Sequence, residues 1–391
     1  MSSTALISSS EVSRRVVFLT DQLGIGGTEG YLRRLVHCFE QYRVIPLVFS
    51  LGRGRPEWGG EIIPNAPVSF GGRRGAYDPL PLFVLARKMR SFQPDSIITF
   101  TRHAFMYALV SRKLAGLHFP IYTFALETHG RVTRSANAQL NFAARILSPE
   151  DRIVVQSNVL LAFMRESWSF SASQFCVIPL GVDVTRFHPQ VVNQWRNVTR
   201  QQLGIPKSSQ VLGIIANLSL NKNHEMTFRV LRNLREQGFP DIRLLVVGTG
   251  YAQRIESLRA LSVEMGLGGN VLFVIAKTDV CPYLSACDIT LLTSRAEATP
   301  TVVLESLACE IPIVVTAYAS ASEQLGSDLE NLVIPQDHEP DFTQRVSDLL
   351  SDPAERRRIG QLGRLRVVDN FTMDLAMRKW SDLVCAQRNP V

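Results

Sequence analysis

The stretch Asp288-Ile-Thr-Leu-Leu-Thr-Ser-Arg-Ala-Glu-Ala-Thr-Pro-Thr-Val-Val-Leu-Glu-Ser-Leu-Ala-Cys309 runs from an apolar strand through a short loop into an apolar helix. Its spacing predicts Thr299 as N-cap and Pro300 as the first helical residue, where a missing N–H costs nothing. Glu297 then falls in the loop beyond the strand's carboxyl end, and Glu305 falls just over one turn into the helix. Both carboxylates therefore lie near one helix N-terminus, with its free N–H donors and positive dipole end. Such a pair beside an anion site suits a ligand that carries hydroxyls and phosphates together, as a nucleotide sugar does.

The same strand-then-helix rhythm extends in both directions. In the first half, Val16-Val-Phe-Leu-Thr, Val44-Ile-Pro-Leu-Val-Phe, Ser96-Ile-Ile-Thr-Phe, Ile121-Tyr-Thr-Phe and Arg152-Ile-Val-Val-Gln read as strands. Amphipathic stretches at 30–40, 80–92 and 158–168 separate them. Around Val177-Ile-Pro-Leu-Gly-Val-Asp183 the pattern becomes irregular and proline-bounded, which places a linker there. A second series follows, with strands beginning at Val211, Ile242, Val271, Asp288, Pro312 and Asn331 and helices at 225–237 and 253–265. Near-continuous apolar strands indicate sheets covered on both faces. The expected class is α/β, two doubly wound Rossmann-like domains facing a central cleft. The expected division is a disordered tail at 1–15, a first domain at 16–185, a second at 186–370 and a final helical segment at 371–391. In such sheets ligands bind beyond the carboxyl ends of the strands.

A chain of 391 residues, 46% hydrophobic and 20% charged, fits two globular domains. No apolar run reaches the length of a membrane span; Thr301 to Ala319 is broken by Glu305, Glu310 and Pro312. The first fifteen residues are Ser-rich, with Arg14 and Arg15 behind the weakly apolar part, the reverse of a secretory signal. Six scattered cysteines without a Cys-x-x-Cys pair read as reduced thiols, and no metal-ligand cluster stands out. A cytoplasmic location, at the inner membrane face where the acceptor is lipid-linked, is the expectation. The net charge of +7 favours anionic partners. Arg53, Arg55, Arg73, Arg74, Arg87, Lys88 and Arg90 concentrate that charge in the first domain, as a solvated helix face or as a patch for an anionic membrane. No nucleic-acid motif accompanies it.

Gly24-Ile-Gly-Gly-Thr-Glu-Gly30 follows the first strand and opens the first helix, so Gly26 and Gly27 allow close backbone approach to an anion. A dinucleotide fingerprint fits poorly, because Glu29 occupies the third glycine position and the next strand ends without an acidic residue. Lys222 stands past the second domain's first strand, placed to neutralise a phosphate. Gly248-Thr-Gly250 is a further close-approach loop. His129, after the strand ending at Phe124, reads equally as a sugar-contacting or proton-exchanging group and as a structural histidine. His37, His103, His188 and His338 read as structural.

In order and spacing these pieces resemble the retaining glycosyltransferases of family 4, the glycosyl transferases group 1, which have the GT-B fold. The resemblance spans roughly Val16 to Val384. It rests on Gly-Gly-Thr-Glu ending at Glu29, Thr128-His129-Gly130, Ile178-Pro-Leu-Gly-Val-Asp183, Lys222-Asn-His224, Val247-Gly-Thr-Gly250, the block from Ser294 to Pro312, and Phe371-Thr372. It implies a metal-independent hexosyltransferase with no cofactor, using a nucleoside diphosphate sugar as co-substrate and a glycan or lipid-linked glycan as acceptor. It further implies that Glu297 binds the sugar hydroxyls, Glu305 the ribose and Lys222 the diphosphate, with Gly26 and Gly27 closing over it. His129 would contact the sugar. Asn217, Gly248, Gly250, Ala298, Thr299, Pro300 and Thr301 would line the donor site, and the last helix would cross back to the first domain. The chain departs from the family at Asn217, where an arginine is usual, at Ala298 and Glu310, often glycine, and at Leu180, commonly asparagine. Ala319-Ser-Ala-Ser-Glu323 also lacks the usual glycine pair. An epimerase acting on a nucleotide sugar shares the fold, and a catalytically inactive binder would share the site.

Overall fold

The computed structural model describes residues 13–24, 27–53, 66–75, 78–124, 134–168, 170–275 and 279–385. The first sheet holds β1 (Arg14–Thr20), β2 (Val44–Ser50), β3 (Val68–Phe70), β4 (Ser96–Thr99), β5 (Ile121–Phe124), β6 (Arg152–Val155) and β7 (Phe175–Val177). Their order is β3-β2-β1-β4-β5-β6-β7 and every pairing is parallel. β1 begins inside the stretch expected to be a tail, because Arg14 and Arg15 already pair with Val44 and Ile45. β3 and β7 are three-residue strands at the sheet's two ends, too short for a periodic signal.

The alternation of side chains along β1 explains the layering. Val16 and Phe18 face helix α1 (Gly27–Phe39), while Val17 and Leu19 face α2 (Leu80–Phe92), α3 (Arg102–Ala115), α4 (Arg134–Ile146) and α5 (Asn158–Ser167). All four side chains are fully buried, as expected for a central strand covered on both faces.

The second sheet follows α6 (Pro189–Gln202). In chain order it comprises β8 (Val211–Ile215), α7 (His224–Glu236), β9 (Arg243–Val247), α8 (Ala252–Glu264), β10 (Val271–Val274), α9 (Cys281–Ser285), β11 (Ile289–Leu292), α10 (Thr301–Ala308), β12 (Ile313–Thr316), α11 (Ala321–Leu325) and β13 (Val333–Ile334). The strand order β10-β9-β8-β11-β12-β13 reverses direction between β8 and β11. Those two strands are parallel neighbours, so the loops leaving their carboxyl ends meet. One carries Lys222 and the other Glu297.

α12 (Glu339–Ser351) and α13 (Pro353–Asn370) complete that domain, and the chain then returns to the first. Val182 donates to Phe371 and accepts from Met373, a crossing in which a Cβ on Gly181 would sit 2.6 Å from the Met373 Cα. α14 (Met373–Cys385) then lies against α1. Trp380 donates to the Tyr31 hydroxyl at 3.0 Å, and Tyr122 donates to the Leu383 carbonyl at 2.8 Å. Tyr31 in turn stacks on Phe124, with ring centroids 4.8 Å apart.

Each sheet is pinned by an aspartate just ahead of a strand, Asp151 buried and Asp288 partly buried. Asp151 accepts two bonds from Arg112, at 2.7 and 2.8 Å, and one each from the Ile121 and Ser148 N–H groups. Asp288 accepts from Arg196, Arg200 and the Val211 N–H. In both cases the carboxylate starts a neighbouring strand and neutralises an arginine brought in by a helix.

Candidate functional site

The helix after β11 starts one residue later than the sequence predicts. Pro300 is the N-cap, with ψ 125°, and Thr301 is the first helical residue. Proline's fixed φ suits either position, so the residue pattern does not separate them. The Thr299 hydroxyl is buried without a hydrogen-bond partner, and no side chain caps α10. The first N–H groups of α10 are thus left without a side-chain acceptor at the cleft end of the helix.

Opposite them the β8 loop makes a short 3-10 turn, Leu220–Lys222, closed by Asn223 in the left-handed region at φ 51°. Two bonds lock this turn to the β11 loop: Arg295 donates its N–H to the Asn221 carbonyl at 2.8 Å, and the Asn221 amide donates to the Ala296 carbonyl at 2.8 Å. Thr293 adds bonds to the carbonyls of Lys222 and Asn223. The result is a direct ion pair between the Lys222 ammonium and the Glu297 carboxylate, with side chains 17% and 13% exposed. A cation and a hydrogen-bond acceptor are thus held together at the mouth of an uncapped helix.

Glu305 lies in α10 and is buried. Among the described residues its nearest cation is Arg34 of α1, 3.5 Å away across the cleft. Burial pushes the Glu305 carboxyl above the ordinary carboxylate range, against the pull of Arg34 and the Thr301 hydroxyl. The two domains are therefore joined through the site itself. A second bridge comes from Glu323, in the segment where a glycine pair is expected. Its carboxylate accepts from the Asn158 N–H at 2.8 Å and from the Asn158 amide at 2.9 Å, capping α5 of the first domain. The same segment props the site loop, since Ser320 donates to the Ala298 carbonyl and Gln324 to the Pro300 carbonyl.

Gly248 and Gly250 have a packing reason of their own. A Cβ on Gly248 would fall 1.8 Å from the Ala216 carbonyl oxygen, and one on Gly250 2.9 Å from the Leu218 Cβ. They let the β9 loop lie against the β8 loop, which holds Asn217 exposed at its tip. Gly27 opens α1, and a Cβ there would meet nothing within 4 Å. Gly26 and His129 lie outside the described residues, as do Arg55 and residues 1–12. The structure thus brings Lys222, Glu297 and the run from Ala298 to Thr301 together, with Glu305 behind them.

Sequence reasoning missed Arg34 and Glu323, whose partners sit in the other domain, and Asp21. Asp21 takes up Thr101 at 2.9 Å, His103 at 3.2 Å and Arg73 at 3.6 Å, at the carboxyl edge of the first sheet. Only its place right after a strand hinted at this. Among the described residues no group of three or more His, Cys, Asp or Glu is clustered to hold a metal ion, and no helix is long and apolar enough to cross a membrane.

Two family models match the chain. Residues 25–186 match Glycosyltransferase Family 4, and residues 196–366 match Glycosyl transferases group 1. A D-inositol 3-phosphate glycosyltransferase of Xylanimonas cellulosilytica is 26% identical over 54% of this chain and 52% of its own length. A GDP-mannose-dependent monoacylated alpha-(1-6)-phosphatidylinositol monomannoside mannosyltransferase of Corynebacterium glutamicum is 26% identical over 53% and 55%. The chain thus spans about half the length of these curated relatives. The crystal structure of Anabaena Alr3699/HepE in complex with UDP superposes over 95% of this chain and 100% of that one, with a TM-score of 0.78 at 18% identity. With two doubly wound sheets meeting at a cleft, the chain carries a Glycosyltransferase Family 4 domain followed by a Glycosyl transferases group 1 domain and has the GT-B fold.

Proposed function

We propose that the protein moves a hexosyl group from a nucleoside diphosphate sugar to a hydroxyl, with retention at the anomeric carbon. The observation that carries this reading is the Lys222–Glu297 pair, set between two strand ends and beside the uncapped start of α10. Breaking the bond from C1 to the phosphate oxygen leaves a diphosphate with extra negative charge and a flattened, cationic sugar. Lys222 and the first N–H groups of α10 stabilise the diphosphate. Glu297 accepts from the sugar hydroxyls, and Glu305 from the ribose. As the new bond forms from the acceptor oxygen to C1, its proton passes to the departing phosphate oxygen on the same face. No side-chain nucleophile takes part, and no metal or cofactor is assigned a role. Gly26 and Gly27 close over the diphosphate, His129 contacts the sugar, and closure excludes water that would hydrolyse the donor.

The acceptor is read as a glycan or lipid-linked glycan on the first domain's side, presented at the inner face of an anionic membrane. The relatives named for phosphatidylinositol mannosides support that reading, as does the composition of one helical layer. α2, α3 and α4 contain no acidic residue, yet they carry Arg87, Lys88, Lys113 and Arg145 and expose Phe83, Leu114 and Phe142. Each basic residue near such a surface contributes about 1 kcal/mol. Vesicles rich in phosphatidylglycerol should therefore sediment the protein at low salt, and Lys113→Glu with Arg145→Glu should weaken this about tenfold or more. Equal recovery with neutral vesicles would sink the membrane part.

The donor is tested by a thermal-shift panel of nucleoside diphosphate sugars run beside nicotinamide dinucleotide, followed by product analysis with and without EDTA. A shift and a transferred sugar support the transferase. Isomerised donor without acceptor indicates an epimerase, and a shift with no product indicates a binding protein. Stabilisation by the dinucleotide alone overturns the reading.

A further inference from the structure

We propose that Arg34 is a positioning residue of the donor site, reaching from the first domain to hold the Glu305 carboxylate ready for the ribose hydroxyls. The proposal rests on the nucleotide-sugar reading above. Glu305 is 7% exposed, and a carboxylate so far from water is costly unless a cation faces it. Among the described residues the cation paired with it is the Arg34 guanidinium, which approaches from α1 of the other domain, 3.5 Å away. The groups that bear on Glu305 are few. Burial raises its proton affinity, Arg34 opposes this most, the Thr301 hydroxyl follows, and Arg186 at the start of the second domain acts more weakly. The Cys309 thiol, at the C-cap of the same helix, is the other ionisable neighbour.

This matters because an ionised carboxylate accepts from both hydroxyls of a vicinal diol, whereas the protonated acid gives up part of that capacity. Arg34 therefore sets which form the ligand meets. Its Nε is buried and makes no hydrogen bond among the described residues, so the ion pair with Glu305 is its interaction in this site. Since the two residues belong to different domains, the ribose site is complete only when the domains stand close enough for this pair to form. Nucleotide binding and closure then reinforce each other.

The test is calorimetry with UDP and GDP, together with donor KM and kcat, from about pH 5.5 to about pH 9. Wild type is compared with Arg34→Gln, Arg34→Lys and Glu305→Gln. Without the guanidinium, Glu305 holds its proton to higher pH, so affinity should fall as pH drops through a window that lies higher than in wild type. Arg34→Gln is expected to weaken nucleotide affinity about tenfold near neutrality, chiefly through donor KM, and to recover as pH rises. Arg34→Lys should retain most of the affinity. Glu305→Gln should show no such pH dependence, and adding Arg34→Gln to it should change little. Arg34→Gln binding as tightly as wild type at every pH, or losing affinity equally at every pH, overturns the proposal. If wild type binds neither these nucleotides nor any donor in the panel, the nucleotide-sugar reading itself falls, and this role with it.

Discussion

Lys222→Ala and Glu297→Ala are each expected to lower kcat by a factor of about a hundred to a thousand or more while leaving the fold intact. The two side chains neutralise each other, so either substitution also strands a charge in the site. For Lys222→Ala the loss lies in stabilising the departing diphosphate, an interaction that strengthens as the bond breaks and so registers in kcat. For Glu297→Ala it lies in holding the sugar. Both residues retain some exposure, at 17% and 13%, so the survivor can reach water and the melting temperature should move little. Single-turnover transfer with each variant, beside a thermal melt, checks this. Wild-type turnover in either variant, once the donor is known, would remove that residue from the mechanism.

The second large effect is on stability. Asp151→Ala should cost the first domain about 3–5 kcal/mol, because it leaves the Arg112 guanidinium buried without its carboxylate. Asp151 is 1% exposed and accepts from Arg112, Ile121 and Ser148 together. That is a large share of a domain's net stability, which is about 5–15 kcal/mol. Urea titration followed by tryptophan fluorescence measures the loss, with Trp168 buried in the same core. A change below about 1 kcal/mol would show that the pair contributes no more than a surface ion pair does.

Much of the fold was legible because the signals are local. Val16 to Leu19, Val211 to Ile215 and Leu244 to Val247 are unbroken apolar runs, and each became part of a central strand. The placing of Lys222 and Glu297 beside each other follows from the same signal, since charged residues in the loops past such runs stand at the sheet's carboxyl edge. What was missed is non-local or short. β3 and β7 hold three residues each and gain their pairing from neighbours already in place. Arg34 and Glu323 look like ordinary surface charges on amphipathic helices, and only the approach of the two domains gives them partners. The one-residue difference at Pro300 arose because proline satisfies both candidate positions equally.

The return of α14 to the first domain bears on how this protein is made. During synthesis the seven strands of the leading lobe emerge well before the ribosome reaches Trp380, so the Tyr31–Phe124 stack must wait uncovered until the trailing lobe has been translated. The half made first is therefore the half finished last. A truncation placed after Asn370 would strip an aromatic cover from the amino-terminal lobe rather than trim the carboxyl-terminal one.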